Sequence, residues 1–192
     1  MSENIARDNQ VCDAFLKRTL ARPQNLQPCC RKGCSACCSE VLYASNADVD
    51  YILTGMTEAH KAEVAQNVLA WLEKTSGILP EKTPDAVKYR ELNAPCPLLK
   101  NNLCTVYDRR PFGCRTFFAI GNPADCQLPA RKHQKFAHVP EQLFQLLGPP
   151  PTLNGELIHD HLGNLLLERL HGIRHFSASR RRLLTPDLLP PP

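Results

Sequence analysis

The sequence predicts a mainly α-helical chain with a small β-hairpin, folded as a compact single domain. Two observations carry that expectation: apolar residues recur at helical spacing within 4–20, 57–76 and 154–173, and two short apolar runs within Pro97–Tyr107 are split by Asn101-Asn102. A third observation is the 10 cysteines in 192 residues. A chain of this length buries enough apolar surface to fold without cross-links, so the cysteines call for a chemical reason.

The first helix is expected over Asn4–Leu20, within an amino-terminal unit 1–25, because Cys12, Phe15, Leu16 and Leu20 share one face and Pro23 stops it. Cys12 reads as a small buried core residue rather than a ligand. Asn46 or Ser45 can cap a short helix that ends by Gly55. Thr57 can cap a longer helix to Ser76, with Val64, Ala65, Val68, Leu69 and Leu72 as its apolar stripe and Gly77 as its stop. A third begins at Thr83 with Pro84 at the first helical position. The stretch 45–92 therefore reads as a helical insert within a cysteine-cluster domain, 26–130. Asn101-Asn102 tolerates the positive backbone angles of a tight hairpin turn. A carboxyl-terminal helical region, 131–176, is expected to pack on that domain, its helix capped by Asn154 and carrying Ile158, Leu162, Leu165, Leu166, Leu170 and Ile173. Residues 177–192 read as a disordered tail.

The amino terminus lacks the apolar stretch of a secretory signal, and no apolar run reaches membrane-spanning length, so a soluble cytoplasmic chain with no membrane partner is expected. In that compartment thiols stay reduced, and clustered cysteines read first as metal sites. A net charge of +4, with its densest run at Arg180–Arg182 in the tail, is weak support for nucleic acid. Of the histidines, His159 and His161 lie two apart, and His171 and His175 have the helical spacing that could bind a metal but reads better as a solvated helix face.

The cysteines fall in two groups: Cys29, Cys30, Cys34, Cys37 and Cys38, then Cys96, Cys104, Cys114 and Cys126. Two cysteines separated by two residues, as Cys34 and Cys37 are, can turn both sulfurs toward one ion. Side chains of adjacent residues diverge, so Cys37 and Cys38 are not expected to share one mononuclear ion, and one should reach elsewhere. The second group lacks the spacing of a self-contained finger and must be brought in by the fold. The reading is a multi-cysteine metal centre that ties the domain together, or two centres sharing ligands, with Cys30, Cys34, Cys37, Cys38, Cys96, Cys104, Cys114 and Cys126 as candidate ligands. Partly buried thiolates need cationic company, for which Arg110 and Arg115 flank Cys114.

The order Cys30, Cys34, Cys37-Cys38, Cys96-Pro-Leu-Leu, then Tyr107-x-x-Arg110-Pro111-x-x-Cys114-Arg115 resembles the YkgJ-type cysteine cluster family, described as zinc- or iron-chelating through a CxxCxxCC motif. The sequence departs from that motif in placing three residues between Cys30 and Cys34, with Cys29 as an extra neighbour. The same cysteine pattern is similar to that of flagellin lysine methylases, which are associated with an iron-sulfur cluster, and this favours iron-sulfur over zinc. The resemblance implies a metal-binding protein of unspecified process. Its alternatives are an iron-sulfur redox or group-transfer enzyme, for which no nucleotide-binding loop or flavin fingerprint is present, and a zinc-containing nucleic-acid module, for which no recognition helix adjoins a finger.

Overall fold

The structure, a computed structural model, describes residues 2–20, 33–78, 86–116, 119–120, 126, 135–136, 157–173 and 181–183. Helix α1, Ser2–Leu20, buries Ile5, Cys12 and Leu16 on one face. A 3-10 turn at Ala36–Ser39 leads to strand β1, Tyr43–Ser45, and directly into α2, Asn46–Thr54. Ser45 is the cap: its Oγ accepts from Asp48 N–H at 3.0 Å while its own N–H donates to Asp48 Oδ2 at 3.0 Å. That reciprocal pair satisfies two amides the helix start would otherwise orphan. Gly55 ends α2 as expected, and Thr57 caps α3, Glu58–Thr75, by accepting from His60 N–H.

The buried face of α3 is Val64, Val68, Trp71 and Thr75, whereas Leu69 is 43% exposed. The expected stripe is thus rotated toward Trp71, which is buried where Leu69 is not. Helix α4, Ala86–Glu91, supplies Tyr89, whose hydroxyl accepts from Trp71 Nε1 at 2.9 Å. The proposed start of this helix at Thr83-Pro84 lies outside the described residues.

The hairpin is present: β2, Leu99–Lys100, pairs antiparallel with β3, Leu103–Cys104. Asn101 and Asn102 adopt φ of 51° and 60°, the two positive angles that a two-residue turn matching strand twist requires. A 3-10 turn at Tyr107–Arg109 and helix α5, Phe112–Thr116, follow. Strands β4, Ala119–Ile120, and β5, Lys135–Phe136, form a further antiparallel pair.

The helix expected from Asn154 is shorter than its periodicity suggested. Asn154 lies outside the described residues; among those described, Leu157–His161 is strand β6 and Leu162–His171 is helical, as α6. Strand pairing overrides the helical period there, because β6 lies between β1 and β7, Arg181–Leu183, in an antiparallel sheet of order β1-β6-β7. Arg181–Leu183 were expected in a disordered tail and instead pair with Leu157–His159, while 177–180 and 184–192 lie outside the described residues. His161, the last residue of β6, faces the interior. It is 1% exposed and stacked on Tyr43 with ring centroids 4.7 Å apart.

The chain is thus mainly helical with small antiparallel strand groups. One core joins Val49 and Ile52 of α2, Val64 and Val68 of α3, and Leu162, Leu165, Leu166 and Leu167 of α6. Leu98 and Val106, which flank the hairpin, are buried in the same core, with Cys96 and Cys104 packed against it. The hairpin cysteines are therefore positioned by the main core. Among the described residues no helix is long and apolar enough to cross a membrane.

Candidate metal centre

Three segments converge. The turn at Ala36–Ser39, closed by Cys38 N–H to Ser35 O at 2.9 Å and Glu40 N–H to Cys37 O at 3.1 Å, presents Cys37 and Cys38. Cys96 N–H donates to Cys38 O at 2.7 Å, which joins this turn to the segment entering the hairpin. The hairpin register sets Cys104 opposite Leu99, whose N–H donates to Cys96 O at 2.9 Å. Arg90 and Glu40 form an ion pair at 3.5 Å that ties α4 to the residue after the turn.

The third segment is the block from Tyr107 to Arg115. Arg110 lies over the Tyr107 ring at 3.7 Å and donates from Nε to Tyr107 O at 2.9 Å. Arg110 has the extended backbone, φ −53° and ψ 143°, that the residue before a proline prefers. Pro111 O then accepts Arg115 N–H and opens α5, which carries Cys114. Arg115 is 5% exposed, and its guanidinium donates to Arg110 O, Asp108 O and Asp13 Oδ2, binding the block to α1.

The electrostatics show which thiols are neighbours. A side-chain hydrogen bond with Cys37 is the largest influence raising the Cys38 thiol, followed by burial and by the charges of Cys37, Cys96 and Cys104. Burial first, then Cys104 and Cys37, push Cys96 up to about 12 against a backbone hydrogen bond that lowers it. Burial raises Cys114 well above the ordinary range, Cys96, Cys37 and Cys104 raise it further, and Arg110 opposes them. Burial also raises Cys104, opposed by a backbone hydrogen bond and by Arg110. Cys37 thus acts on Cys38 beside it, on Cys96 and Cys104 of the hairpin region and on Cys114 of α5.

A model of the family described as "CxxCxxCC: Putative zinc- or iron-chelating domain" matches residues 29–142, more than half of the chain. The chain belongs to the CxxCxxCC family. No curated protein and no solved structure matches it.

The CxxCxxCC residues are not all gathered equally. Cys34 is half-buried beside the turn, and Cys126 is 8% exposed in the fold, but neither is among the leading influences on Cys38, Cys96, Cys104 or Cys114. Cys30, with Cys29, lies outside the described residues. Adjacent Cys37 and Cys38, expected to diverge, still act on one another, Cys37 being the largest influence that raises the Cys38 thiol. Cys12 is fully buried, with no cluster thiol among the charges that act on it. The eight described cysteines are all free thiols.

Of the two arginines, Arg110 acts on Cys104, Cys114 and Cys12, while Arg115 acts on Cys12 and spends its hydrogen bonds on the backbone and Asp13. No three His, Cys, Asp or Glu side chains among the described residues are arranged so as to hold a metal ion. The donor set itself suits zinc and iron, both of which thiolates bind. The Arg90–Glu40 brace and the buried group Asp160, His161 and Asn164, in which Asp160 Oδ1 accepts from His161 N–H at 2.7 Å and from Asn164 Nδ2 at 3.3 Å, gave no signal in residue spacing.

Proposed function

We propose that this protein binds zinc or iron through one composite thiolate centre formed by Cys37, Cys38, Cys96, Cys104 and Cys114, with Arg110 offsetting their charge. The supporting observation is that four of these thiols have raised proton affinities and Cys37 contributes to raising all four. Such a group is costly to ionise by itself and favourable to ionise around a cation. Cys34, and Cys30 and Cys126 by sequence, are the candidates for further donors. Arg115 acts as the positioning residue that orients the Cys114 helix.

Five neighbouring thiols exceed the four that a tetrahedral zinc takes, which favours a polynuclear centre and, within it, an iron-sulfur cluster. A bound metal would supply positive charge in place of thiol protons, so that binding releases protons and adds to folding stability. A cytoplasmic setting, where thiols stay reduced, belongs to the same reading. Purification without oxygen, followed by metal and sulfide analysis and a visible spectrum, tests it. Iron with sulfide and broad visible absorption supports the cluster, and zinc in a colourless protein supports the zinc form. A folded protein that retains neither metal after reconstitution overturns the proposal.

A further inference from the structure

Cys38 and Cys96 stand at the two ends of the helical segment, with β1 and α2–α4 between them, and both are free, partly exposed thiols. Their main chains meet, because Cys96 N–H donates to Cys38 O at 2.7 Å. That bond limits the separation of the two α-carbons. In standard backbone geometry Cα lies about 2.4 Å from its own carbonyl oxygen and about 1.5 Å from its own nitrogen, so even a straight line through the bond leaves the α-carbons at most about 6.6 Å apart. Bridged cysteines have α-carbons roughly 4.4 to 6.8 Å apart, so this pair is within reach of a disulfide.

Both backbones are fixed on their other side as well. Cys38 N–H donates to Ser35 O at 2.9 Å, and Cys96 O accepts from Leu99 N–H at 2.9 Å. The side chains share one neighbourhood, since charge on Cys96 acts on the Cys38 thiol. Cys37 is a poorer partner for Cys38: α-carbons of chain neighbours are about 3.8 Å apart, short of the bridging range.

We propose that Cys38 and Cys96 form a reversible disulfide when the chain meets a small disulfide oxidant, so that a covalent bond locks the turn at Ala36–Ser39 to the hairpin entry. One sulfur attacks the oxidant, forming a mixed disulfide and releasing one small thiol. The second sulfur then displaces the other small thiol and closes the bridge. The two protein thiols lose two protons and two electrons, and the oxidant gains both as it becomes two thiols. The closed loop contains β1 and α2–α4, and restricting it in the unfolded chain should raise the thermal midpoint by about 10 °C. The bridge does not depend on the metal-binding reading above. Under that reading it also withdraws two of the five donors, so that oxidation and metal loading exclude one another.

The test uses the folded chain, as purified and after chelation, equilibrated with glutathione disulfide. Remaining thiols are blocked, the protein is digested, and fragmentation of the linked peptides assigns each sulfur. The Cys38–Cys96 link should dominate, with the rise in thermal midpoint, and dithiothreitol should reverse both. Cys104→Ser should keep the link, and Cys96→Ser should lose the link and the rise together. The chain oxidised in guanidinium should spread its links over several pairs. A dominant link from Cys38 to Cys37 or from Cys96 to Cys104, mixed disulfides with glutathione at both sites, or the same spread of links with and without guanidinium would overturn the proposal. Failure of metal binding would leave the link in the chelated protein unchanged, which separates the two readings.

Discussion

Cys96 donates its backbone N–H to the carbonyl of Cys38 at 2.7 Å, so two cysteines from opposite sides of the helical segment are joined by main chain before any metal is considered. The link makes the turn at Ala36–Ser39 and the hairpin entry one mechanical unit. Metal removal should loosen 33–40 and 96–116 together, because binding energy at a shared site is also folding energy. Amide hydrogen exchange before and after chelation reads this directly. Loosening confined to one segment would show that the two do not share a centre.

The arginines that flank Cys114 should separate by phenotype. Arg110 lowers the proton affinity of Cys104 and Cys114, so Arg110→Glu should raise it, and bound metal should be released at a higher pH than in the parent. Arg115→Met removes a buried guanidinium with three acceptors and should lower stability by about 3 kcal/mol, while its pH profile of metal release stays close to the parent's. Metal content against pH, with urea unfolding in parallel, distinguishes them. Coincident release curves for Arg110→Glu and parent would remove the charge-offsetting role.

Burial, with Asp13, pushes the Cys12 thiol from 9.0 up to about 11. The native state then holds a proton that the unfolded chain gives up near pH 9. Cys12 stabilises fully below that pH, and its contribution is lost as pH rises from about 9 to about 11. Cys12→Ala should therefore show a shallower fall in thermal midpoint over that window than the parent, with metal content unchanged. Equal slopes would show that Cys12 titrates normally in the fold.

Gly163 opens α6 against Trp71, and a Cβ there would overlap the indole ring. Trp71 is 4% exposed and held by its bond to Tyr89, so it has little room to yield. Gly163→Ala should destabilise by roughly 1–3 kcal/mol despite the better helix propensity of alanine. Chemical unfolding checks it, and a more stable variant would mean the ring moves freely.

Where local chemistry decides the structure, the sequence was informative. Ser45 and Thr57 as caps, Gly55 as a stop, and the Asn101-Asn102 turn each rest on residues within a few positions of one another. The strand Leu157–His161 has a helical period in sequence, but its character comes from pairing with Tyr43–Ser45 and Arg181–Leu183, distant in the chain. The same limit governs the site. Clustering in sequence points to the cysteines, but that Cys37 acts on Cys96, Cys104 and Cys114, far from it in the chain, follows from the fold and not from spacing. The division of labour between Arg110 and Arg115 depends on Asp13 of α1, which no motif spacing includes.

The most direct test of the composite centre is metal bound per chain, measured after oxygen-free purification and reconstitution, for the parent and for Cys37→Ser, Cys96→Ser and Cys114→Ser. These variants take one thiol from each converging segment, with folding of each verified by circular dichroism. A centre shared by all three segments predicts that every variant loses most of its metal relative to the parent. Full parental metal in any one of these folded variants would contradict a centre that draws on all three segments.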